Sequence, residues 1–417
     1  MTDTLAFETS WVTLRNGARG LLLPRPDSPT LALSLLVRAG SRHDGSQPGL
    51  AHLVEHLVFR APAPPRLDLY AAVEGLGGQV DGGTSRDCTS FEIVVGAPHA
   101  ARALGLLSHL ARPPATDPAS VRGEQLVICQ ELLERASAAR LLWDTVLAAL
   151  WGDHPLVHDP GGTAADLLAA APEDAASFHA RWHTAPRLLV VAAGACSREE
   201  FDTAVAAALG DLPAPPPPSD AAPDQPPPRA AAGRARYVET DASVVHLAVA
   251  LAVAGQQEPD CAALHLLHVA LGQGPDSRLQ RAFTAHGLHA PVQSRYTPYW
   301  GGGVFAALAA CPPDAASTAA ALLSGEVEAL AAAPPAAKEL EAARARYLGT
   351  VYRACETNGG LAAAAGIEAL FGNGDEPLAR SIEQVATVSA EEVAAVATRY
   401  FGPGRSVRVS VGPRGWG

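Results

Sequence analysis

Short apolar runs bounded by polar or glycine-rich segments predict strands at 31–37, 90–95 and 188–193. Between them, alanine- and leucine-rich segments predict helices near 49–62, 65–76, 98–112, 118–150 and 173–182. The second half repeats the order, with strands near 244–253, 302–308 and 406–411 and helices near 258–272, 277–286, 313–333, 335–355 and 390–400. Strand, helices, strand, long helices, strand in each half implies a distant internal repeat, although the halves share few identical residues. A proline-rich run at 212–229 separates them, and its composition favours a stiff extended linker. The expected fold is α+β, with two similar domains, each a mainly antiparallel sheet with helices packed on one side. The expected boundaries are an N-terminal domain at 1–212, a linker at 213–235 and a C-terminal domain at 236–417.

Composition narrows the classes of function. The 417 residues are 48% hydrophobic, enough for sizeable cores, and the net charge of −12 with dispersed basic residues leaves no footprint for nucleic acid. The longest apolar stretch, 244–255, contains His246 and is too short to span a bilayer. The first residues lack a basic start and an apolar core, so no signal peptide is expected and the cytoplasm is the default location. Six cysteines, at 88, 129, 196, 261, 311 and 355, show no Cys-x-x-Cys spacing and are expected to be reduced thiols. Soft, cysteine-rich ligation for metal storage or sensing is absent.

Candidate chemistry concentrates in His52-Leu53-Val54-Glu55-His56. Histidines four apart share a helical face and can hold one metal ion. His-x-x-Glu-His is the zinc-protease motif in reverse, and Glu55 stands where it can take a proton from a water polarised by zinc. A catalytic zinc needs one further protein ligand. Glu124 and Glu131, two helical turns apart in the segment 121–134, can supply it, one as ligand and the other in support. Leu126, Val127, Leu132 and Leu133 are expected to pack the rest of that helix, with Glu134 and Arg135 at the surface.

On these residues the chain resembles the inverted-motif zinc peptidases, the family of pitrilysin, insulin-degrading enzyme and the mitochondrial processing peptidase. The likeness extends over Thr13 to Leu21, Arg38 to Asp44, Gly49 to Phe59, Val73 to Thr89, the helix around Glu124 and Glu131, and the loop from Gly152 to Gly162. It implies His52, His56 and Glu131 as ligands of Zn²⁺, with Glu131 lying 75 residues beyond His56. It further implies Glu55 as the catalytic base and Glu124 as the supporting acid.

The resemblance also places the substrate strand after Gly77-Gly78, at Asp81, Gly82, Gly83 and Thr84, where the family usually carries Asn-Ala in place of Asp81-Gly82. A free sheet edge binds an extended peptide through main-chain hydrogen bonds. In the second half the family usually has an arginine and a tyrosine that hold the substrate carbonyl. Here Gly272 to Leu279 and Gly287-Leu288 match, but Thr284 stands near the arginine position and Ala290 near the tyrosine. Arg281, Arg295, Tyr296 and Tyr299 are the available stand-ins. The expectation is therefore a zinc metalloendopeptidase subunit that needs a homologous partner carrying the arginine–tyrosine pair. A non-catalytic structural or peptide-binding subunit is the alternative. His179 and His183, also four apart, lack an acid between them and read as ordinary histidines.

Overall fold

The computed structural model describes residues 7–60, 68–214, 233–372 and 375–413, so all but the first three residues of the proline-rich run at 212–229 lie outside the described residues. The chain forms two compact units that do not follow chain order. One comprises 1–134, 158–223 and 352–380, and the other 135–157, 224–351 and 381–417. The boundaries expected from the sequence divide the chain once; the compact units exchange segments across that division.

The first unit is built on six strands: β1 (Ser10–Thr13), β2 (Arg19–Pro24), β3 (Thr30–Val37), β4 (Gln79–Thr84), β5 (Thr89–Gly96) and β6 (Leu188–Gly194), in the order β1-β2-β6-β3-β5-β4. Only β2 and β6 run parallel. Alternation decides the layers. Leu31, Leu33, Leu35 and Val37 of β3 join one core with helices α1 (Leu50–Phe59), α2 (Leu69–Glu74), α3 (Ala100–Leu110) and α4 (Pro118–Glu134). Leu36, on the opposite face, meets the helix Asn358–Phe371, where a Cβ on Gly366 would stand 2.4 Å from the Leu36 side chain. That helix comes from the far half of the sequence and is fixed by Asn358, whose amide donates to the Thr30 carbonyl, and by Arg19, which donates to the Ala369 carbonyl.

The second unit repeats the topology. Its strands β7 (Ala235–Glu239), β8 (Val245–Val253), β9 (Val292–Tyr299), β10 (Gly302–Cys311) and β11 (Val407–Gly412) run β7-β11-β8-β10-β9, with only β7 and β11 parallel. This is the order β2-β6-β3-β5-β4 of the first sheet. Ala248, Ala250, Val407, Val409 and Val411 form one core with Leu142, Val146 and Leu150 of α5 (Ala138–Trp151). The single helix expected at 118–150 is thus two. It breaks after Glu134, and Ser137 starts α5 by accepting the Arg140 N–H. The two pieces then belong to different units.

All six cysteines are free thiols. Burial holds the His179 imidazole down to about 4, His268 to about 4 and His265 to about 3, with His183 also well below its ordinary value. These groups stay neutral in the folded chain at pH values where the unfolded chain takes up protons. Their contribution is therefore fully present above about pH 6.5 and is lost as the pH falls toward 4. Each should cost about 1.4 kcal/mol per pH unit over that window. Asp44, pushed up to about 8 by burial, and Glu55, pushed up to about 7, titrate with the opposite sign over the same range, so the fall in urea midpoint from pH 7.5 to pH 5 should be smaller in His265→Phe than in the unmodified chain; an equal fall would contradict the neutral, buried assignment.

Candidate metal centre and active site

Helix α1 buries Leu50, Leu53, Val54 and Leu57, a three-and-four spacing that turns His52, Glu55 and His56 to another face. Its start is defined from outside the helix. Gly49 takes φ +93° at the N-cap, a backbone state that suits glycine, and a Cβ there would stand 2.9 Å from the Gly161 carbonyl oxygen. The buried Asp44 carboxylate accepts the Gly49 N–H at 2.7 Å and the Ala51 N–H at 2.8 Å. Nearby, fully buried Arg42 pairs with Asp87 at 2.7 Å and ties this loop to the turn between β4 and β5. Breaking such a pair from one side costs about 3–5 kcal/mol.

Helix α4 brings its acids to α1. His52 Nε2 lies 3.8 Å and His56 Nε2 3.6 Å from the Glu131 carboxylate oxygens, and the two Nε2 atoms are 3.3 Å apart. His56 Nδ1 donates to Glu124 at 3.1 Å, and Arg60, just past α1, donates to the other Glu124 oxygen at 2.9 Å. Leu132 packs against the core. The expectation for Leu126, Val127 and Leu133 is corrected: they are 53%, 45% and 72% exposed. The cause is that α4 spends its inward face on Val121, Glu124, Gln125 and Ile128.

The donor set fits a divalent metal ion. With Nδ1 of His56 engaged by Glu124, its Nε2 is the nitrogen left facing Glu131 and His52. One ligand atom each from His52, His56 and Glu131 lies within 4.8 Å of the others, a spacing and donor set that suit one divalent ion. Two imidazoles and one carboxylate also leave the open position of a catalytic site. Among the described residues this is the one group of such ligands. Burial works to lower the His56 imidazolium, but the Glu124 hydrogen bond and the charges of Glu55 and Glu131 outweigh it and hold it above its ordinary value. Glu124 is held below the usual carboxylate range: burial opposes this, and His56 and Arg60 prevail.

Glu55 sits beside this group, with one carboxylate oxygen 3.9 Å from His52 Nε2. Burial pushes Glu55 up to about 7, against the pull of His56 and the Thr84 hydroxyl. Thr84 donates to that same oxygen at 2.8 Å. The other oxygen lies 2.6 Å from where a Cβ on Gly82 would be, and the Phe59 ring lies 2.7 Å from the same point. Gly82 therefore keeps space that alanine would take from the Glu55 carboxylate.

Strand β4 is the edge of its sheet. Val80 packs toward the core, and Gly82 and Thr84 share its side, whereas Asp81 and Gly83 point the other way. Exposed Asp81 accepts the Gly82 N–H at 2.8 Å, and Gly83 pairs with Ser90 of β5. In the second unit, Arg281 donates to the Asp276 carbonyl, Arg295 lies over the Trp143 ring, buried Tyr296 donates to the Ala254 carbonyl, and buried Tyr299 packs on Trp151.

Sequence reasoning missed the roles of Arg60, Asp44 and the Thr84 side chain. The signal for Arg60 was its place four residues after His56. For Thr84 it was the shared strand parity with Gly82.

The sequence profile described as insulinase (peptidase family M16) matches residues 21–161, and that described as peptidase M16 inactive domain matches 170–347. An "uncharacterized zinc protease" of Mycobacterium tuberculosis is 26% identical over 407 residues, covering 97% of this chain and 93% of that protein. The mitochondrial-processing peptidase subunit beta of Pongo abelii is 24% identical over 419 residues, covering 94% and 83%. A solved peptidase M16 inactive domain from Pseudomonas fluorescens superposes with a TM-score of 0.87 at 22% identity, covering 97% of this chain and 98% of that one. A protease from Helicobacter pylori gives 0.87 at 20% identity, covering 98% and 100%. The solved structures share the two-sheet α+β fold. With both profiles drawn from one family and matching successive parts of the sequence, the chain belongs to the M16, or insulinase, family of peptidases.

Proposed function

We propose that the chain is a zinc-dependent endopeptidase subunit. One observation carries the reading: His52, His56 and Glu131 converge on one point, and the buried carboxylate of Glu55 stands beside it. His52, His56 and Glu131 would hold the zinc, with Glu124 and Arg60 fixing His56. When bound, zinc supplies Lewis-acid chemistry that acidifies a water and polarises a carbonyl. Glu55 takes the proton from the attacking water onto its carboxylate and passes it to the leaving amine. The free edge of β4, with Asp81, Gly82 and Gly83, presents main-chain groups to an extended peptide.

The chain works with a homologous partner subunit. The segment 277–296 carries Thr284 and Ala290 near the positions where the family usually has its arginine and tyrosine. A relative named as a processing-peptidase subunit beta supports assembly of this kind. No described helix is long and apolar enough to cross a membrane, and the reading keeps the cytoplasm as the place of action.

The test combines metal analysis with cleavage of a peptide library by the purified chain, alone and with the homologous partner. One zinc per chain is expected, with weak cleavage alone, strong cleavage with the partner, and loss of both on chelation. Zinc without cleavage in every combination would favour a structural or peptide-binding subunit. Full activity from a demonstrated monomer would remove the partner and return attention to Arg281, Arg295 and Tyr296.

A further inference from the structure

We infer that Thr84 is a positioning residue for Glu55, so that the edge strand offered to the peptide also sets the orientation of the base. The inference rests on the assignment of Glu55 as base. Its geometry is independent of the metal. Glu55 is 4% exposed, and β4 lies against its carboxylate, holding one oxygen and leaving space for the other. The Thr84 hydroxyl donates to one at 2.8 Å, and the bare Cα of Gly82, two residues earlier on the same face, leaves room for the other. Thr84 is β-branched, which narrows its χ1 choices and fixes the direction of the hydroxyl. It also sits at the end of β4 in register with Thr89 of β5, where the ladder holds its backbone.

An unheld glutamate on α1 could turn among rotamers around the metal ligands. A hydrogen bond to a carboxylate in a buried setting restricts that choice and is lost outright if the hydroxyl is removed. Thr84→Val keeps the shape and the β-branch while deleting the donor. Thr84→Ser keeps the donor while deleting the methyl group. The side chain of Thr84 therefore acts on the base and not on the peptide, even though its strand lies where the peptide is expected.

Steady-state cleavage should show kcat reduced roughly ten- to a hundredfold in Thr84→Val, with KM within about twofold and zinc content unchanged. Thr84→Ser should recover most of kcat. In the Glu55→Gln background, Thr84→Val should lower the residual rate less than about twofold, because no base remains to be positioned. Because glutamine can still accept from Thr84, the stability cycle uses Glu55→Leu: thermal unfolding of metal-free Glu55→Leu, Thr84→Val and their double variant should show a coupling between positions 55 and 84, a readout that needs no activity. If Thr84→Val proves unstable, Thr84→Ala takes its place against the serine variant. A rise in KM with kcat intact would overturn the inference and assign Thr84 to peptide binding, and additive effects of the two substitutions would overturn it as well. Full cleavage by Glu55→Gln would instead refute the role of the base itself, an outcome visible without any Thr84 variant.

Discussion

Glu55→Gln should leave the metal in place and lower peptide cleavage by about a hundred- to ten-thousandfold. Glutamine keeps the size of the side chain, can still accept from the Thr84 hydroxyl, and fits the space left by Gly82. It cannot take a proton at neutral pH. The three residues proposed to hold the metal are untouched, so zinc analysis should match the unmodified chain. The measurement pairs single-turnover cleavage with metal content. Unchanged turnover would end the assignment of Glu55 as base, whereas loss of zinc along with activity would mean that Glu55 supports the metal instead.

How far the sequence foretold these features depends on the range of the interactions that fix them. The placement of His52, Glu55 and His56 on one face needs only helical periodicity over one turn and a half. The seven-residue spacing of Glu124 and Glu131 gave their common side in the same way. Choosing between them required the resemblance, because periodicity cannot say which acid lies nearer the two Nε2 atoms. Asp44 was opaque for another reason: its carboxylate caps α1 from a loop five residues before Gly49, and no helix rule reaches that far. The break at 135–137 was hidden because both flanking segments favour helix, and only the structure assigns α4 and α5 to different compact units. The helix Asn358–Phe371, absent from the sequence reading, covers the first sheet through contacts more than 300 residues distant along the chain, such as Asn358 with Thr30. Leu126, Val127 and Leu133 looked like core by composition. Only the direction of Glu124 and Glu131 toward α1 shows that the opposite face of α4 must be left outward.

The two acids of α4 can be separated by their effects on metal affinity. Glu131→Gln removes a charged group that lies within 4 Å of both imidazole Nε2 atoms, so zinc affinity should fall by well over a hundredfold. Glu124→Gln acts one step away, through His56 Nδ1 and Arg60, and loss of such an outer partner typically costs about ten- to a hundredfold. Competition titration with a chromophoric chelator would give both affinities on one scale. The order should hold at low and high salt, since both imidazoles and Glu124 are largely buried and only Arg60 is solvated. An Arg60→Met variant should resemble a weaker Glu124→Gln, because it leaves the His56 hydrogen bond in place and removes only the second donor to that carboxylate. If Glu131→Gln retains its zinc while Glu124→Gln releases it, the ligand is Glu124; the imidazole of His56 would then have to turn, exchanging the nitrogen that faces Glu124 for the one that binds metal.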